Sequence, residues 1–416
     1  MDKKIKGAWI IHHTKKLQAT TNQEFDAIGF AGKCGTLLSA ISSSNQILIT
    51  GSRLEALAKA NQISPRGEVP AILQELKRQR LISIGAAGEI EVLGLTGHTI
   101  LEHTATVFEE SNREPHEDAV ITLSEEASDS PLTDKKAKEL ISDKHRLSAT
   151  LAESTIQLGS GIGFFDSESI SDKEKLLFNG NLFRRDEAKK VNAIIASLNL
   201  AEATALKEVN QMLQGAGCLP LETVQKVVDK TLFEKLHSIG LFDVSSVGNE
   251  SGRRYFVTRP AAFSKFTNSI ADDALDLAKA FVASLTYGMT LSSYSRGRIQ
   301  MISKLMSKLI AGGTVGPATA IGSDYQALEL KGVVKVDPAS GGMFTMKLLK
   351  PEVGRLALSV IEDGDLSAES VTNLPGAKVT EYMGPEAMRE VQRKNSSEAV
   401  KLSTKNLLNE IRTGGI

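Results

Sequence analysis

The chain has 416 residues, 41% of them hydrophobic and 24% charged, with a formal net charge of −1. That length suits roughly two to four domains. The charge balance excludes a global basic field of the kind small chromatin proteins use, so any nucleic-acid surface must be local.

Two cysteines, Cys34 and Cys218, build neither a disulfide framework nor a zinc quartet. No apolar run reaches the ~18 residues of a membrane span. The expected location is therefore the cytoplasm.

Residues 1–24 read as an N-terminal arm, whose apolar run from Ala8 to Ile11 is too short for a secretory signal. A first unit spans 25–108. It opens with the helix-like "EFDAIGFAGKCGTLLSAIS" and the short helix "SRLEALAKANQ". A third helix follows, with Val69, Ile72, Leu73 and Leu76 at helical spacing and Pro65 and Pro70 near its start. "LISI", the turn "GAAG" and "EIEVLGL" predict a hairpin, closed by the helix "HTILEHTATVF".

Residues 109–143 read as an acidic, flexible linker, since 109–134 holds nine acidic residues against one arginine. A second unit, 144–267, has upstream helices "DEAKKVNAIIASL" and "AEATALKEVNQMLQ". Val224, Val227 and Val228 then mark a short helix, and Leu232, Phe233, Leu236 and Ile239 the next. Its hairpin is "GLFDVSSVGNESGRRYFVTRP". A third unit, 268–364, has helices at "ADDALDLAKAFVASLTYG", "GRIQMISKLMSKLIAGG" and "SDYQALELK", with "DPASGG" as its turn. Residues 365–416 form a polar tail with short helices.

Three helices followed by a two-stranded hairpin, with "ILQELKRQRLISI" running straight into the first wing strand, resemble the winged helix. The resemblance rests on order and length. It implies an α+β, mainly α protein with three winged-helix-like units. It also implies two kinds of role: duplex binding by a helix in the groove with wing contacts, or assembly of a larger complex.

Catalytic and cofactor signals are weak. "GFAGKCGT" misses the spacing of a phosphate-binding loop and follows no strand, so small residues easing helix packing account for it better. "LGSGIGFFDS" lacks the third glycine of a dinucleotide turn and reads as a flexible join. His12 and His13, taken as strand residues, point to opposite faces, and His98 and His103 do not share a helix face. The expectation is a non-enzymatic protein without cofactor or metal.

The remaining signal is basic. From Arg253 to Lys308 there are nine Lys/Arg and three Asp. The candidate DNA contacts in the first unit are Arg66, Gln74, Lys77, Arg78 and Arg80. In the second they are Lys230 and Lys235, with Arg253 and Arg254 on the wing. In the third, Arg296, Gln300, Lys304 and Lys308 recur every fourth residue along one expected helix. Double-stranded DNA is the expected partner. A protein partner or second copy would meet the third unit or the tail.

Overall fold

The computed structural model describes residues 1–20, 24–42, 48–86, 88–92, 97–171, 174–249, 252–266, 272–292, 297–330 and 332–364. The expected tail, 365–416, lies outside them. The protein is α+β and mainly α. Among the described residues one succession occurs four times: helix, short strand, two helices, two further strands. The first strand always pairs with the last, so each sheet runs in the order first, third, second.

Helix α1 (Lys3–Gln18) precedes unit I, which comprises α2 (Asp26–Ser42), β1 (Leu48–Ile49), α3 (Gly51–Ala60), α4 (Val69–Arg78), β2 (Ile82–Ile84) and β3 (Ile90–Val92). Helix α5 (Gly97–Glu110) follows. Unit II comprises α6 (Pro115–Asp129), β4 (Leu132–Thr133), α7 (Asp134–His145), α8 (Ala149–Ile162), β5 (Asp166–Ser171) and β6 (Glu174–Phe178), then α9 (Arg185–Ala196). Unit III comprises α10 (Leu200–Ala216), β7 (Cys218–Pro220), α11 (Leu221–Val224), α12 (Lys230–Ser238), β8 (Asp243–Asn249) and β9 (Gly252–Thr258). After α13 (Ala261–Ser264) and α14 (Asp272–Thr290), unit IV comprises α15 (Ile302–Ile310), β10 (Thr314–Ala318), α16 (Thr319–Asp324), α17 (Gln326–Leu330), β11 (Val334–Pro338) and β12 (Phe344–Leu348). Helix α18 (Pro351–Asp363) ends the described chain.

Three expectations change. The acidic linker across 109–143 is instead the first half of unit II, because its carboxylates have partners far away in sequence. Buried Glu117 accepts the amides of Ala27 and Ile28, at 3.0 and 3.1 Å, and so caps α2. Asp118 receives Lys6 and Arg113, at 2.8 and 2.7 Å. Among the described residues there are thus four such units, each with a three-stranded antiparallel sheet, rather than the three expected.

The N-terminal arm is helix α1, with Asp2 accepting the Lys4 amide at its start. Residues 7–14 are all buried, so the helix is enclosed on every side and shows no amphipathic rhythm. Close approach of its neighbours depends on α2. A Cβ on Gly32 would collide with Thr14 of α1, and one on Gly35 with Thr104 of α5. Small residues in "GFAGKCGT" do serve helix packing.

The supposed flexible join at 158–167 is the end of α8. Gly163, at φ 92°, closes that helix, and Gly240, at φ 76°, follows α12 in the same way. Each is followed by a buried pair and an aspartate that opens the wing: Phe164, Phe165 and Asp166 in unit II, Leu241, Phe242 and Asp243 in unit III.

Wing strands also join the cores. On β6, Leu177 packs into the core of units I and II, while Leu176 and Phe178 pack into that of unit III. On β9, Val257 packs into the core of unit III and Phe256 into that of α14 and unit IV. Alternating side chains of one strand thus feed two cores.

Candidate nucleic-acid interface

The third helix of unit I, α4, buries Val69, Ile72 and Leu76 and turns Gln74, Lys77 and Arg78 to solvent. Arg66 lies exposed in the turn before it. Arg80 lies just after it, at φ 60°, also exposed. Arg78 is engaged: its guanidinium contacts Glu75 and Glu110, each at 2.6 Å, and those carboxylates hold its pKa above the usual value. Among the described residues no ion pair engages Arg66, Lys77 or Arg80.

In unit III, Asp229 caps α12 by accepting the Leu232 amide, and Leu232, Phe233 and Leu236 are buried. Lys230 and Lys235 face solvent. Lys230 lies 3.9 Å from Glu234, and Lys235 donates to the Ser197 hydroxyl at 3.3 Å. The wing registers Val247 opposite Arg254 and Gly248 opposite Arg253. Arg254 lies 2.9 Å from Glu222 on α11, with both side chains at least half exposed, and Tyr255 beside it is 46% exposed. The side chain of Arg253 lies outside the described residues. Farther down, Arg259 is buried against Asp129 at 2.7 Å and offers nothing to a ligand.

Unit IV departs from the expected stripe. Its helix starts only at Ile302, Gly297 holds φ 89°, and Met301 has non-helical angles of −128° and 79°. Gln300 therefore precedes the helix, and Arg296 lies outside the described residues. Only Lys304 and Lys308 share an α15 face, and α15 is the first helix of its unit. The third helix, α17, exposes Gln326, Ala327 and Glu329, and α8 of unit II exposes no cation. Cationic third helices therefore occur in units I and III alone.

A second polar site has no signature in the sequence. The Lys265 ammonium sits 3.1 and 3.0 Å from the two oxygens of Glu125 on α6, and the Trp9 indole donates to the same carboxylate. Asn179 and Asn181, which follow the wing of unit II, donate to the Lys265 carbonyl at 2.9 and 3.2 Å. Asp129 also accepts from Gln214, at 3.3 Å, and Lys4 of α1 reaches Asp363 of α18 at 2.7 Å. Lys4, Glu125, Asp129, Gln214 and Asp363 border a cavity of about 560 Å³ at the seam between units I–II and units III–IV. Of its carboxylates, Glu125, Asp129 and Asp363 already have cationic partners.

His12 and His13 lie on helix α1 rather than on a strand. The ring of His13 shares a hydrogen bond with the Ser124 hydroxyl at 2.9 Å and stacks near Phe164. Burial holds both imidazoles well below their usual pKa, helped by Lys16. No group of His, Cys, Asp and Glu among the described residues is arranged to hold a metal ion. No helix among them is long and apolar enough to cross a membrane. No protein-family model matches the chain, and no curated protein matches it in sequence.

Proposed function

We propose that the protein binds double-stranded DNA without catalysing a reaction, through the third helices of units I and III and the wing of unit III. One observation carries this reading. Solvent-facing cations gather on α4 and α12, where a winged helix would meet a groove, and are missing from the equivalent faces of α8 and α17. Ordinary solubilising lysines would show no such preference among four copies of one topology.

Helix α4, with ten residues, is about 15 Å long, and a major groove about 12 Å wide admits it. Arg66 and Arg80 flank it as phosphate contacts, and Gln74 and Lys77 face outward between them. On the wing, Arg254 exchanges Glu222 for a phosphate at little cost, because the pair is exposed. A cytoplasmic location fits this reading, since Cys34 and Cys218 are buried and free.

The test is a mobility shift with random-sequence duplex at two salt concentrations. Binding at low salt that weakens at higher salt supports the reading. No binding at low salt removes it and favours assembly of a protein complex.

A further inference from the structure

The exposed face of the unit IV sheet juxtaposes like charges. Across β11 and β12, Lys335 stands directly opposite Lys347, and on the other side of Lys347 stands Thr314 of β10. All three face solvent, whereas the next row, Val315, Met346 and Val336, turns inward. Like charges directly opposite on a sheet destabilise it. Asp337, 2.9 Å from Lys335, relieves only that lysine. No ion pair engages Lys347 among the described residues.

Unit IV carries a second such pair on α15. Gly313 precedes Thr314, and the stem of Lys308 lies across it: a Cβ on Gly313 would be 2.9 Å from Lys308 Cγ. Lys308 in turn shares its helix face with Lys304, four residues earlier, a second unfavourable like-charge pair. Lys335 and Lys347 stand on strands ~4.8 Å apart, and Lys304 and Lys308 stand one turn apart on the helix that leads into β10. Both like-charge pairs belong to unit IV, and Thr314, the other neighbour of Lys347, supplies a hydroxyl rather than a carboxylate.

We propose that these two lysine pairs contact the phosphate backbone of duplex DNA, by which unit IV meets the nucleic acid through its first helix and sheet rather than through α17. The proposal rests on the DNA-binding reading and deepens it. An anion bridging each pair relieves its repulsion, and a backbone supplies anions at regular spacing, one per 3.4 Å of each strand on the order of base-pair rise. These contacts carry no base-reading geometry, so they add affinity without sequence preference.

The experiment is lysine acetylation of the full chain, read by mass spectrometry, with and without random duplex. It is paired with the salt dependence of binding for Lys308→Ala with Lys347→Ala. Both lysines are exposed, so the variant keeps its fold, which circular dichroism checks. The expected result is protection of Lys308 and Lys347 by duplex and a salt slope shallower by about 1.8, at about 0.9 per phosphate contact.

If the protein binds duplex and Lys77 is protected, but Lys308 and Lys347 react as before and the slope is unchanged, the unit IV contact is wrong and the DNA reading stands. If the wild-type chain binds no duplex, both fail. Protection by phosphatidylserine vesicles but not by duplex also overturns the contact, in favour of a membrane surface.

Discussion

Lys265 and Glu125, 140 residues apart in the chain, form a buried ion pair in which one ammonium spans both carboxylate oxygens. Trp9 donates to the same carboxylate, so helix α1, helix α6 and the segment after the unit III wing meet at one charged point. Such a pair specifies orientation more than it adds stability, because each ion loses its water. Removing one partner is costly. Lys265→Met is expected to destabilise the protein by about 3–5 kcal/mol, whereas Lys265→Met with Glu125→Leu should cost much less. Urea unfolding followed by fluorescence of Trp9, the single tryptophan, measures both. Equal losses would show that Glu125 left unpaired carries no burial penalty.

The buried histidines predict acid sensitivity. Burial depresses the pKa of His12 and His13 in the folded state, so below about pH 6.5 the unfolded chain binds more protons. Their contribution is fully present above that pH and declines as pH falls. Burial opposes the Glu125 charge, but Lys265, Trp9 and Arg259 hold its pKa below the usual carboxylate value, which adds a further loss below about pH 4.5. The melting temperature should therefore drop between pH 7.5 and 5.5, and less so in His13→Gln. A flat profile over that interval would contradict the burial of these rings.

Glu117 ties unit II to unit I by capping α2. Glu117→Ala leaves the amides of Ala27 and Ile28 buried without a partner and is expected to cost about 1–3 kcal/mol, with Glu117→Gln milder. Equilibrium denaturation gives the comparison. No change for the alanine variant would mean that water replaces the cap.

On the wing, stability and binding should separate. Arg254 pairs with Glu222 in solvent, so Arg253→Ala with Arg254→Ala should alter stability by less than about 1 kcal/mol. The same variant should lower the salt slope of duplex binding by roughly one to two phosphate equivalents. Glu222→Ala, which removes the competing carboxylate, should tighten binding at low salt. An unchanged slope in the arginine variant would take the wing out of the interface.

The legible parts of this fold are those whose pattern is local. The α4 stripe of Val69, Ile72 and Leu76 and the Gly-rich turns of the first and third wings show in a short window. Helix α1 was hidden because burial on all sides leaves no polar face to mark a period. Helix α6 was hidden because a charge count sees Glu117, Asp118 and Glu125 but not Ala27, Lys6 or Lys265. The first strands of units I and II are two residues long, too short for any alternation to show. Among the candidate contacts, exposure of Gln74 and Lys77 followed from helical spacing, whereas Arg66 and Arg80 lie in the turns that flank the helix. Capture of Arg78 by Glu110, 32 residues later, did not. The cross-strand meeting of Lys335 and Lys347 depends on register, which a single strand does not encode.

The two-faced strands β6 and β9 bear on how the protein can be dissected. A cut after Phe178 would free a fragment whose last strand bares Leu176 and Phe178 to water, and would leave the remainder with an unfilled hollow. A cut after Thr258 would do the same with Phe256, whose core is that of α14 and unit IV, while Val257 would keep the core of unit III. Truncations designed to isolate single units should therefore aggregate or stay unfolded, even where each carries its full set of helices and strands. Point substitutions in the intact chain are the sounder route to assigning work to each unit.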